Sequence, residues 1–167
     1  MQGLNKLIEI AANRQEFHLE ILDSDGKQVN VAFIMKPGAD ESQIQILNNG
    51  IGNRLPVLYK KFLKQYNGAR LYDYKGLGGF QFLGCDEIIH ANNFAKATFE
   101  DDWNDSLLVF AKYIGECNYL AFDTSSKDER VIDCFFEELP RDWNVIASNF
   151  DSFLQMLIES EGSLYWL

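Results

Sequence analysis

The sequence predicts an α+β fold with a mainly antiparallel sheet. Apolar side chains alternate with period two in several short runs and recur with helical spacing in others, and the two kinds of run are segregated rather than strictly alternating. Three consecutive strand patterns near Leu107–Tyr113, Tyr119–Asp123 and Arg130–Phe135 are joined only by IGECN and TSSKDE, connections short enough for a meander. The composition supports one core. In 167 residues, 47% are apolar and 24% charged, and 13 Phe, 7 Tyr and 3 Trp supply bulk.

Element by element, Leu4, Leu7, Ile8 and Ala11 share one face of a helix over Leu4–Ala12. Phe17, Leu19 and Ile21 alternate with polar neighbours, as do Val29, Val31 and Phe33, and Asp25-Gly26 lies between them; this reads as a β-hairpin. KPGADE (residues 36–41) breaks either pattern and is the candidate linker. It divides the chain into an N-terminal extension, 1–39, expected to pack on a main domain, 40–160, with a tail at 161–167. A helix is expected from about Asp40 to Leu47, ended by Asn48-Asn49-Gly50. Pro56 opens the next helix, whose stripe is Leu55, Leu58, Tyr59, Phe62, Leu63 and Tyr66. Strands near Arg70–Tyr74 and Gly79–Leu83 flank a glycine-rich turn. Asp86 is placed as the cap of a helix over Glu87–Ala97, with Ile88, Ala91, Ala95 and Phe94 directed inward. A last helix spans Ser148–Glu159 on Phe150, Phe153, Leu154, Leu157 and Ile158, and the tail 162–167 is apolar and aromatic.

Charge narrows the function. The formal net charge is −10, which repels phosphate backbones, disfavours direct nucleic-acid binding and suits a cationic partner. No run approaches the roughly 20 apolar residues of a membrane span, and the first residues lack a secretory pattern. Cys85, Cys117 and Cys134 are odd in number and widely spaced, unlike a disulfide framework, so a reducing cytoplasm is the expected compartment.

Chemistry-bearing patterns are sparse. Cys85 and His90 stand five residues apart, which on a helix places them on different faces, so a buried thiol and a surface imidazole are favoured over a nucleophile pair. Glu100, Asp101, Asp102 and Asp105 lack the ligand alternation of a calcium loop. Gly76-Leu77-Gly78-Gly79 lies between strands and follows Lys75, unlike a phosphate cradle. No catalytic, cofactor-binding or metal-ligating residue is therefore assigned. The acidic groups in predicted connections, with the tryptophans beside them, form the candidate partner-binding set: Asp101, Asp102, Trp103, Asp105, Asp128, Glu129, Glu137, Glu138 and Trp143. Acids would steer a cationic protein and aromatics would anchor it; the plain alternative has both tryptophans packed into the domain above solvated loops.

Four markers together resemble the SUKH superfamily, the group related to the fungal cell-wall assembly regulator. They are Leu55-Pro56 with Phe62-Leu63 and Tyr66-Asn67-Gly68; Phe80-Gln81-Phe82-Leu83 leading to Asp86-Glu87; Leu120-Ala121-Phe122-Asp123; and Ile146-Ala147-Ser148-Asn149-Phe150 with Phe153-Leu154. They cover about Asp40 to Glu159 in the family's order, and the hairpin across Phe17–Met35 is an addition. Gln45 and Ile46 stand where the family commonly carries an acidic residue. The resemblance implies an α+β fold and, in bacteria, a non-enzymatic immunity protein that neutralises a toxin domain, frequently a nuclease, by stoichiometric occlusion. The other readings are a regulatory or scaffold module without a toxin partner and, with least support, a small hydrolase using scattered carboxylates.

Overall fold

The computed structural model describes residues 1–23, 25–125 and 127–167. The predicted turns containing Ser24 and Ser126 thus fall in part outside the described residues. Helix α1 (Gln2–Ala11) buries Gly3, Leu4, Leu7 and Ala11 and ends in a left-handed residue, Ala12. Strands β1 (Glu16–Leu22) and β2 (Gln28–Met35) form the expected hairpin, paired in register from Glu16↔Ile34 to Leu22↔Gln28. Helix α2 (Glu41–Gly50) opens on a capping box in which Asp40 and Gln43 satisfy each other's backbone N–H. It runs through Asn48-Asn49-Gly50 rather than ending there. Ile51 is buried and its N–H still donates to Leu47 O, so packing carries the turn onward, and the left-handed residues are Gly52 and Asn53.

Helix α3 (Val57–Gln65) follows Pro56 and buries Tyr59, Phe62 and Leu63. Strands β3 (Ala69–Asp73) and β4 (Phe80–Phe82) lead to helix α4 (Cys85–Phe99), which begins two residues before the predicted start. Asp86 lies inside α4 and is not its cap. Gly84 takes the cap position, Glu87 Oε2 accepts the Gly84 N–H at 2.8 Å, and Asn67 Oδ1 accepts the Cys85 N–H at 2.8 Å. A Cβ at Gly84 would approach Asn67 O to 2.6 Å, which explains why glycine stands there.

Strands β5 (Leu107–Tyr113), β6 (Tyr119–Asp123) and β7 (Arg130–Cys134) make the expected meander, and β8 (Asn144–Ala147) extends it where no strand was expected. Helix α5 (Phe150–Glu159) starts on an Asn149–Ser152 capping box. Short 3-10 turns occupy Glu100–Asp102 and Pro140–Asp142. The result is an α+β fold whose eight strands stand in chain order, each antiparallel to its neighbours.

The core is largely aromatic. Tyr59 and Phe62 of α3 meet Phe150 of α5 over Phe82, Phe110 and Phe122 of the sheet, with Phe110 and Phe122 stacked at 4.0 Å. The Tyr59 hydroxyl stands 2.8 Å from Leu83 O and 2.9 Å from Phe110 O, so the buried phenol has partners for its proton. In the tail, Trp166 packs on Phe80 and Phe153 and donates Nε1–H to Asp133 Oδ2 at 2.9 Å. Phe17, Val31, Phe33 and Met35 of the hairpin belong to this same core cluster. Helix α1 lies against α5, where a Cβ at Gly3 would run into the Asp151 carbonyl oxygen.

Candidate partner-binding surface

Three residues of β4 are too few to cover the seven of β5. β4 pairs with Ala111–Tyr113, leaving the first half of that β5 edge open. Helix α4 fills the gap: Asn92 donates to Val109 O and accepts Val109 N–H, both at 2.9 Å. This contact holds the middle of α4 beside the sheet, and Phe99 at the end of the helix meets Phe136 and Trp143 of the loop after β7.

A second aromatic cluster forms there. Phe136 stacks on Tyr119 at 4.8 Å and on Trp143 at 6.1 Å with the rings 4° from parallel, and it meets Phe99 edge-on at 4.9 Å. Trp143 also meets Phe99 at 5.1 Å and Trp103 at 6.4 Å. Trp143 is 8% exposed and donates Nε1–H to Phe135 O at 2.9 Å, so its ring belongs to the domain's own packing. Trp103 is half-buried and stacks on Phe99. Phe94, expected inward, is 56% exposed, and Phe135 is 41% exposed. Phe94 instead borders a groove of about 310 Å³ between α4 and the sheet, with His90, Lys112 and Tyr119 among its walls.

Acidic side chains surround this cluster. From Glu100 to Asp142 there are twelve acidic residues against four basic ones, a net of −8 out of the chain's −10. The remaining 124 residues are close to neutral. The 100–106 segment and the β6–β7 turn lie at the same end of the sheet, because β5 pairs Leu107 with Asp123 and Thr124 N–H donates to Ser106 O. Asp101, Asp102, Trp103, Asp105, Asp128 and Glu129 are thereby gathered at one end. Glu137 and Glu138 leave from the Cys134 end of β7, on the loop that Phe136 and Trp143 fold back toward Trp103.

Some of these charges are engaged. Asp105 pairs with Lys96 at 2.8 Å, a contact whose hydrogen bond and charge hold its carboxyl below the usual range. Asp105 O also accepts from the Arg54 guanidinium. Asp102 faces Arg141 at 3.7 Å. Burial pushes the half-buried Glu129 carboxyl up. Asp123 is 6% exposed, and burial alone would raise its pKa. Ser125 and Arg130 outweigh that by hydrogen bonds and charge, and the carboxyl sits low. Asp101, Asp128, Glu137 and Glu138 are exposed to solvent.

Burial pushes the Cys85 thiol up to about 11, helped by Asp86, which opposes a thiolate, while His90 is exposed. Among the described residues no group of three or more His, Cys, Asp or Glu is placed to hold a metal ion, and no helix is long and apolar enough to cross a membrane. The surface thus combines negative charge with exposed aromatic edges. Phe94 and Phe135 are the members that sequence reasoning missed. The signal for Phe94 was a polar flank, Asn92-Asn93 before it and Lys96 after it, within the helical pattern.

A model of the SMI1 / KNR4 family (SUKH-1) matches residues 38–156. The chain is also similar to the uncharacterized protein YnaB of Bacillus subtilis (strain 168), with 24% identity over 139 residues, which covers 82% of this chain and 88% of that protein.

Proposed function

The chain belongs to the SMI1 / KNR4 family (SUKH-1), and from that premise we propose that it is a non-enzymatic immunity protein that occludes a cationic toxin domain. One observation carries the reading: a net −8 of the chain's −10 lies between Glu100 and Asp142, around a half-exposed aromatic cluster. Such a surface complements a protein whose own working face is basic, as that of a nuclease must be to hold phosphates. Asp101, Asp102, Asp105, Asp128, Glu129, Glu137 and Glu138 steer the encounter. Trp103 supplies apolar contact at the end of the sheet. Trp143 supports that surface from beneath. An interface of about 1,600 Å² in total is enough to cover a toxin's active site. The protein acts in the cytoplasm, in keeping with the free thiols of Cys85, Cys117 and Cys134.

The test is co-expression with the product of the adjacent gene, followed by co-purification and rescue of growth. Stoichiometric co-purification with a basic toxin domain, together with rescue, is the expected result. Association rates should then fall steeply as ionic strength rises, because screening removes steering. Failure to co-purify and rescue, or turnover of a substrate by the purified chain alone, overturns the reading.

A further inference from the structure

Strand β1 opens the sheet and has a neighbour on one side only. Two bonds fix which way its backbone groups point: Asp23 N–H donates to Lys27 O, and Met35 N–H donates to Gln15 O. With the register between β1 and β2 unbroken, odd-numbered residues direct their N–H and C=O groups toward β2, and Glu16, His18, Glu20 and Leu22 direct theirs outward. The Leu22 N–H meets Glu161 Oε2 at 3.4 Å. Among the described residues no backbone or side-chain group hydrogen-bonds the outward N–H or C=O of Glu16, His18 or Glu20.

Protein edges are ordinarily protected by proline, bulges or lysine. β1 has seven residues, no proline and no bulge against β2. Its two faces differ in chemistry. Glu16, His18 and Glu20 stand exposed on one side, while Leu19 and Ile21 are half-buried on the other. A strand laid along this edge would set one row of its side chains beside two carboxylates and the next row beside an apolar ledge. β1 and β2 also precede residue 38, where the family-matched range begins.

We propose that the β1 edge receives an extended segment of a protein partner as a ninth strand, a segment that alternates cationic residues facing Glu16 and Glu20 with apolar residues continuing the Leu19–Ile21 row. A second copy of the chain fits less well. Self-pairing in the longest register, centred on Leu19, sets Glu16 opposite Leu22 and His18 opposite Glu20, so it gathers four carboxylates on one face and places no lysine or arginine beside them. The edge lies across the sheet from β7 and β8, so it is distinct from the acidic surface. It holds whether or not the partner is a toxin, because the test below uses the chain alone.

The probe is an acetylated, amidated heptapeptide alternating lysine and valine, titrated into the full chain at low salt. Expected are saturable one-to-one binding and slowed amide exchange at Glu16, His18 and Glu20. His18→Pro removes an outward N–H and no ladder bond, so the sheet should persist while affinity falls at least tenfold. The double variant E16K/E20K checks the charge rule and covers any folding defect in the proline variant. It should lose the lysine peptide at least tenfold and gain one alternating glutamate and valine. Equal binding to wild type and to folded His18→Pro, an absence of binding, or protection confined to residues 100–142 overturns the proposal. A concentration-dependent dimer that His18→Pro dissolves overturns it as well, by naming a second copy as the occupant.

Discussion

Trp103 and Trp143 separate binding from folding at the scale of one side chain. Trp143 is buried among Phe99 and Phe136, so Trp143→Ala should cost about 3–5 kcal/mol of stability in urea unfolding. Trp103→Ala should leave the unfolding midpoint much closer to wild type and raise the partner's dissociation rate. Equal loss of stability in both would make Trp103 a packing residue only. Asp151 makes a prediction about pH. Burial opposes its charge, but the backbone N–H groups of Leu4 and Gln2 outweigh that and lower its pKa. A folded value below the unfolded one gives stability that is present above the ordinary carboxylate value of 3.8 and is lost as pH falls through and below it. Asp151→Asn should therefore flatten the acid limb of a stability-against-pH curve and leave its shape near neutrality unchanged. The cap of α4 shows where residue-level reading ended. Asp86 was the nearest capping type to the helical pattern, whereas the acceptor actually used, Asn67, is 18 residues upstream. Local sequence does not encode a cap delivered by another element.

Elements defined by their own periodicity were the legible ones. The predicted ranges Leu107–Tyr113 and Tyr119–Asp123 are the observed strands, legible as short apolar runs between turn residues and buried almost throughout. β8 was missed because Asn144–Ala147 has no alternation: its first two residues are exposed and its last two buried. Pairing with β7, rather than pattern, makes it a strand. α2 outran its predicted stop for a similar reason, the burial of Ile51. The site was legible only as composition. Acids and tryptophans could be named, but that Trp143 lies inside and Phe94 outside depends on how the 135–143 loop folds back. The contact between α4 and β5 offers an element-scale test. Asn92→Ala leaves the Val109 N–H and C=O without the side chain that bonds both, at a cost of about 1–3 kcal/mol for each group that stays unsatisfied. Hydrogen exchange should quicken at Val109 before it does at Phe122; unchanged exchange would mean that α4 is held by its apolar contacts alone.

For the molecule as a whole, charge is divided along the chain: −8 between Glu100 and Asp142, and nearly none elsewhere. Replacing Asp101, Asp102 and Asp105 together with Ser should slow association with a cationic partner severalfold at low salt and leave the unfolding midpoint nearly unchanged. The exposed pairs that these acids make with Lys96 and Arg141 contribute little to stability. An association rate that did not move would relocate the encounter surface. The clasp of α1 against α5 bears on how the molecule is made. Every strand finds its partner in the stretch of chain beside it, but the cover of α1 is synthesised more than 130 residues later. Until the ribosome has released α5, a nascent chain shows Leu4, Leu7 and Ala11 without their final cover, and a product truncated before Phe150 keeps them bare for chaperones and proteases to find.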